Sequence, residues 1–185
     1  MQVTWSMGSA IFWPILHEPA MNRPALSTLL ATFEMRPPAR APLNDDELKE
    51  LVGADGVRLL GASPTETTAW NPEPRRKGDT NCHLWVIDAR GIPYLLEHAD
   101  VALSLESRVV KHSNLTGGGP ACCGGELWFA APQASTLYVN GCSGRYAPRS
   151  KEHLEAAAAA FRELGYEVVS FGWDEDAGRP AMVLP

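Results

Sequence analysis

The chain has no run of about 18 apolar residues, the length a membrane-spanning helix needs, so no membrane partner is expected. It has no excess of basic residues either: 16 Lys and Arg stand against 22 Asp and Glu, a formal charge of −6 with a pI near 5.3. Nucleic-acid binding takes a basic surface to neutralise phosphates, so none is expected, with Arg75, Arg76 and Lys77 the one local basic patch. Spaced metal motifs are missing: no C-x-x-C and no H-x-x-x-H occurs. No Gly-Lys-Ser/Thr follows the glycine run, which excludes a Walker phosphate loop. The first residues, MQVTWSMGSAIFWPILHEP, have an apolar patch but no basic flank, and Pro14 and His17 interrupt it. They make a poor signal peptide, residues 1–20 are expected to be poorly ordered, and Met21 is an alternative start.

What is there fits one domain. Apolar residues make 45% and charged residues 21% of 185, ordinary globular usage and enough for one core rather than two. Four cysteines in a chain with that core read as reduced thiols rather than disulfide staples, which suits the cytoplasm, with a secreted effector as the alternative.

Leu26, Leu29, Leu30 and Phe33 are spaced for one helical face within residues 21–36, and Pro37–Pro38 ends it. Asn44 before Asp45, Asp46 and Glu47 predicts a capped second helix running to Gly53. Residues 62–80, with Pro64, Pro72 and Pro74, predict a long loop. Short strand patterns follow at His83–Asp88, Ile92–Glu97, Arg108–His112, Glu126–Ala131 and Thr136–Asn140, with no helix between them, which favours an antiparallel meander. Ser150 caps an alanine-rich helix to Leu164, and Tyr166–Phe171 is a last strand. The expected fold is therefore α+β over residues 21–185. It has a mostly antiparallel sheet packed by one long C-terminal helix, and a helical N-terminal part.

The chemistry concentrates between Val109 and Pro148. His112 and Ser113 run into Gly117 and Gly118, where consecutive backbone N–H groups can form an anion nest, or simply a turn. Glu126 opens a strand as a carboxylate base or as an ordinary strand-end acid. Ser143, Arg145 and Tyr146 bring a hydroxyl, a guanidinium and a phenol that hold an anion or brace a turn. Cys82, Cys122, Cys123 and Cys142 offer thiols for zinc. However, neighbouring strand residues point to opposite faces, so Cys122–Cys123 is an awkward ligand pair and buried thiols lead that reading. A Cys nucleophile with His112 as base stands behind the buried-thiol reading too.

Three ordered blocks carry a resemblance: Lys111-His112-Ser113-x-Leu115-x-Gly117-Gly118, Gly124-Gly125-Glu126 and Ser143-Gly144-x-Tyr146-x-Pro148. They resemble the K-H-S-S-x-L-x-G-G…A-G-E…S-G-H-Y-x-P signature shared by plant IQ-motif calmodulin-binding proteins and by toxin-like or effector-like bacterial domains. About forty residues are covered. Asn114 stands for the second Ser, Cys122–Cys123 for small residues and Arg145 for His, and no IQ motif is present, so calmodulin binding does not carry over. The resemblance implies a small α+β domain in which the His, Glu, Ser and Tyr positions converge, and it implies no reaction. A looser similarity to ADP-ribosyltransferases, where His and Tyr hold NAD, would require Glu167 or Glu175 as the catalytic acid.

The reading is an effector-like, toxin-like or stress-related domain with a small-molecule or nucleotide pocket. His112, Glu126 and Tyr146 are its catalytic candidates, and Ser113, Gly117, Gly118, Ser143 and Arg145 its ligand-binding candidates. No metal ligand is assigned and the sequence names no cofactor. The alternative is a non-catalytic protein-interaction module in which the same residues are staples.

Overall fold

The computed structural model describes residues 24–53, 55–61, 81–131 and 135–182. The expectations for residues 1–20 and for the Pro-rich loop at 62–80 lie outside the described residues.

Helix α1 (Pro24–Thr32) is followed by a 3₁₀ turn (Asp45–Leu48) and by strands β1 (Arg58–Leu59), β2 (His83–Ile87) and β3 (Pro93–Leu96). Two more 3₁₀ turns (Asp100–Ser104 and His112–Leu115) precede β4 (Cys123–Phe129) and β5 (Thr136–Val139). The chain ends with α2 (Lys151–Glu163), β6 (Glu167–Ser170), and a small β7 (Trp173–Asp174) and β8 (Arg179–Pro180) pair.

The six-stranded sheet has the order β1-β3-β2-β4-β5-β6, with β5 and β6 parallel and every other pair antiparallel. This corrects the expected mostly antiparallel sheet packed by one long C-terminal helix. The sheet is mixed because α2 intervenes between β5 and β6, and a helical crossover returns the chain to the end where the preceding strand began. Both helices are short, 9 and 13 residues, and they lie against each other. Glu163 at the end of α2 accepts the Ala25 and Leu26 N–H groups at 2.9 and 3.2 Å, supplying the anionic cap that α1 lacks in its own first turn.

Two further expectations change. The helix predicted from Asn44 to Gly53 is a single 3₁₀ turn, and the Asn44 side chain reaches Glu106 instead of capping. Tertiary bonds decide it: Asn114 Nδ2 donates to the Asp46 and Lys49 carbonyls at 2.7 and 2.8 Å, and Leu51 N donates to Asn114 O. The strand predicted at Arg108–His112 is also absent. Arg108 has φ +52° and His112 opens a 3₁₀ turn, so the segment bends under the sheet instead of joining it.

Strand alternation divides the core into two layers. Trp85, Ile87, Tyr94, Cys123, Leu127, Phe129 and Phe161 share one cluster. Leu84, Val86, Leu95, Trp128, Tyr146 and Phe171 share the other, on the opposite face. Both faces of β2 and β4 are buried along their whole length, which explains their nearly continuous apolar runs.

His83 lies in the first layer, with its ring 5.3 Å from Phe129 and 5.8 Å from Tyr94. Burial pushes its pKa down to about 4 against a weaker opposing bond from the Asn81 backbone. The imidazole is neutral in the fold but takes a proton in the unfolded chain near pH 6.5, so its contribution is present above that pH and is lost as pH falls towards 4. His83→Gln should flatten the acid limb of stability, measured as urea midpoints between pH 7 and 4.5. The wild type should lose about 2 kcal/mol more than the variant by pH 5.

Candidate functional site

The site begins with two missing side chains. A Cβ on Gly125 would stand 2.0 Å from the Asn140 carbonyl oxygen, and one on Gly124 would stand 2.7 Å from Trp85 O and 3.4 Å from the His112 ring. Only glycine lets these backbones close on β4. Beyond Val139 the chain therefore leaves β5 while staying against β4. Asn140 completes the edge: its Oδ1 accepts Glu126 N at 3.0 Å and Cys142 N at 2.9 Å, and its Nδ2 donates to Glu126 Oε2 at 2.9 Å. The Tyr146 carbonyl then takes Gly124 N at 2.6 Å.

This geometry brings the three sequence blocks together. Glu126 follows Gly124 by two residues, so its side chain shares the face on which His112 lies. His112 Nε2 sits 2.8 Å from Gly125 O; a carbonyl only accepts, so Nε2 carries the ring proton. Ser113, next in the turn, is 1% exposed and its hydroxyl has no partner among the described residues. A buried hydroxyl left this way costs about 1–3 kcal/mol.

The remaining candidates are engaged internally. Gly117 and Gly118 adopt φ +60° and +78°, as the glycine run predicts, but Gly118 N and Gly119 N donate to Ser113 O and Thr116 O inside their own turn. The expected anion nest is largely consumed. Tyr146 OH donates to Gly119 O at 2.8 Å and lies 3.0 Å from Thr116 Oγ1, and burial raises its pKa against the Thr116 bond. Ser143 Oγ accepts Tyr146 N and Arg145 N at 3.0 and 3.3 Å, bracing the turn. Arg145 is paired with Glu47 through one terminal nitrogen, while its buried Nε has no partner among the described residues. Burial pushes the Glu47 carboxyl up, yet Leu43 N–H and the Arg145 guanidinium together hold it below its ordinary value.

The two glutamates of the ADP-ribosyltransferase comparison lie elsewhere. Glu167 starts the far edge strand, exposed and bonded to Thr136 at 2.8 Å, and Glu175 pairs with Lys151 at the surface.

Sequence reasoning missed His153. It occupies the first turn of α2, fully buried, where Ser150 Oγ caps its N–H at 3.2 Å, and its ring stacks on Phe33 at 4.0 Å and 6°. Its Nε2 lies 3.3 Å from Cys122 Sγ. The objection that Cys122 and Cys123 face opposite ways does not hold, because Cys122 is a bend ahead of β4 and both thiols enter the same core layer. A hydrogen bond from Cys123 and then the His153 ring lower the Cys122 pKa to about 5 despite burial, while burial raises that of Cys123. Cys122 Sγ, Cys123 Sγ and a His153 ring nitrogen all lie within 4.8 Å of one another, the spread a soft cation would need. The only warning in the sequence was that an i+3 His follows a capping Ser.

Comparison with protein-family models, curated proteins and solved structures finds no match to this chain.

Asn140 is the hinge of the arrangement. Asn140→Ala removes the partner of the buried Glu126 carboxylate and of two backbone N–H groups. Unfolding in urea should show a loss of about 2–4 kcal/mol, while an exposed control such as Glu155→Gln should lose less than about 0.5.

Proposed function

We propose that the chain is an effector-like or toxin-like domain that binds a small polar ligand of nucleotide type on the sheet face carrying His112, Ser113 and Glu126. The observation supporting this most directly is the buried Ser113 hydroxyl beside His112, which has no partner among the described residues, on the face to which the Gly124–Gly125 approach also brings Glu126. The resemblance to toxin-like and effector-like domains in the same three blocks supports the class.

In this reading His112 orients the ligand through a ring fixed by Gly125 O, and Ser113 supplies its hydroxyl. Glu126 is the carboxylate, its charge shared with Asn140. Ser143, Arg145 and Tyr146 hold the walls through their internal bonds. Those bonds also favour a second reading, a non-catalytic interaction module in which all three blocks act as staples.

Growth of cells expressing the wild type should be impaired, and His112→Asn or Glu126→Gln should relieve it with circular dichroism unchanged. Purified protein should also gain thermal stability with a nucleotide or NAD, and Ser113→Ala should abolish that gain. Normal growth with every chain and no thermal shift across the nucleotide panel would transfer the weight to the interaction module.

A further inference from the structure

On the other sheet face, and independent of that reading, lies a cluster of ligand atoms that the proposed site does not use. Cys122 sits at the bend before β4, where the residue after α1, Phe33, and the first turn of α2 also arrive. Its backbone is pinned there, because Cys122 N donates to Ile87 O at 2.7 Å. The Cys122 S–H donates to Phe33 O at 3.5 Å, and His153 Nε2 lies 3.3 Å from the same sulfur. Cys123 adds a second thiol, with all three side-chain ligand atoms inside 4.8 Å and all three residues buried. The Phe33 ring, stacked at 4.0 Å and 6°, fixes the plane of the imidazole.

These separations are close to the edges of one coordination polyhedron. Zinc bonds of about 2.3 Å to sulfur and about 2.1 Å to nitrogen or oxygen put neighbouring ligands of a tetrahedron roughly 3.6 Å apart. The two edges that meet at Cys122 Sγ measure 3.3 Å to nitrogen and 3.5 Å to the carbonyl oxygen. We propose that Cys122, Cys123, His153 and the Phe33 carbonyl form a structural zinc site that fastens the end of α1 and the start of α2 to β4. The hydrogens now shared between these atoms stand where the cation would bind.

The donor set selects the ion. Two sulfurs and an imidazole without a carboxylate favour a soft or borderline cation over magnesium or calcium. Two thiolates and Zn²⁺ sum to zero charge, which suits an apolar core layer, whereas Cu(I) on the same ligands leaves a net negative charge there. Binding releases the two S–H protons to water. It also reverses the ring tautomer. In the metal-free chain His153 Nδ1 accepts Arg149 N–H at 3.3 Å and Nε2 carries the proton; zinc takes the Nε2 lone pair and leaves the proton on Nδ1. That bond is long, and Arg149 lies at the exposed rim, where water replaces it. A buried site with four protein ligands is closed, so the ion loads as α1 docks and has a structural role.

The test uses the untagged full chain, unfolded and refolded in reductant with either a chelator or zinc, then desalted. One zinc per chain is expected in the wild type and in Cys142→Ser, whose thiol lies outside the cluster. Zinc should raise the melting temperature, and the chelator should reverse the gain. Cys122→Ser, Cys123→Ser and His153→Gln should each weaken zinc binding about a hundredfold or more in competition with a chromophoric chelator. Should those variants fail to fold, wild-type protein loaded with cobalt decides: the intense visible bands of tetrahedral cobalt together with thiolate charge transfer support the site. Nitrogen-15 spectra should also move the His153 proton from Nε2 to Nδ1 as zinc is added. No bound zinc, undiminished binding in folded Cys122→Ser or Cys123→Ser, weak octahedral cobalt bands, or uptake of Cu(I) but not zinc overturns the proposal.

Discussion

The close approach of backbones around Gly124 and Gly125 is the constraint on which the rest depends. Three chain segments share the space that two side chains would fill: the Trp85 carbonyl on one side, Asn140–Gly141 on the other, and the His112 ring across the face. Because β4 lies in the middle of the sheet, closing this gap sets the position of the His112 turn, the Asn140 departure and the Tyr146 turn together. Glycine weakens strands in general. Here that cost is offset by a network in which the Asn140 side chain alone accounts for three hydrogen bonds.

The two sheet faces then serve different chemistry. One carries polar groups that mostly satisfy one another, with Glu47 and Arg145 paired below the His112 turn and Tyr146 clamping Thr116 and Gly119. Such networks hold a unique arrangement when complete, and an uncompensated member such as the Ser113 hydroxyl marks where a ligand atom would be rewarded. The opposite face is an apolar core interrupted at one point, where a thiol, an imidazole and a guanidinium gather at the start of α2.

The acidic run after Asn44 has every local mark of a helix start, but a helix needs several turns of its own bonds. Asn114, nearly seventy residues away, captures the Asp46 and Lys49 carbonyls first. The Arg108–His112 strand failed similarly, through a backbone angle that its sequence does not advertise. The sheet is mixed because the Ser150-capped helix lies between β5 and β6, and a helical crossover of that kind makes the pair parallel.

By itself the sequence determined the features that rest on local periodicity and on single residue types. These are the alternating and continuous apolar runs of β2 to β6, the Ser150 cap of α2, the turns at Gly117–Gly118, and the grouping of His112, Glu126 and Tyr146 into one stretch worth examining. Only the tertiary structure decided which polar groups are partners and which are spare, because hydrogen bonds such as Arg145–Glu47 join residues from distant parts of the chain. It also decided that Cys122 and His153 meet. One bend before β4 turns a thiol to the face where α2 delivers its first-turn imidazole, and no spacing rule along the chain encodes that distance.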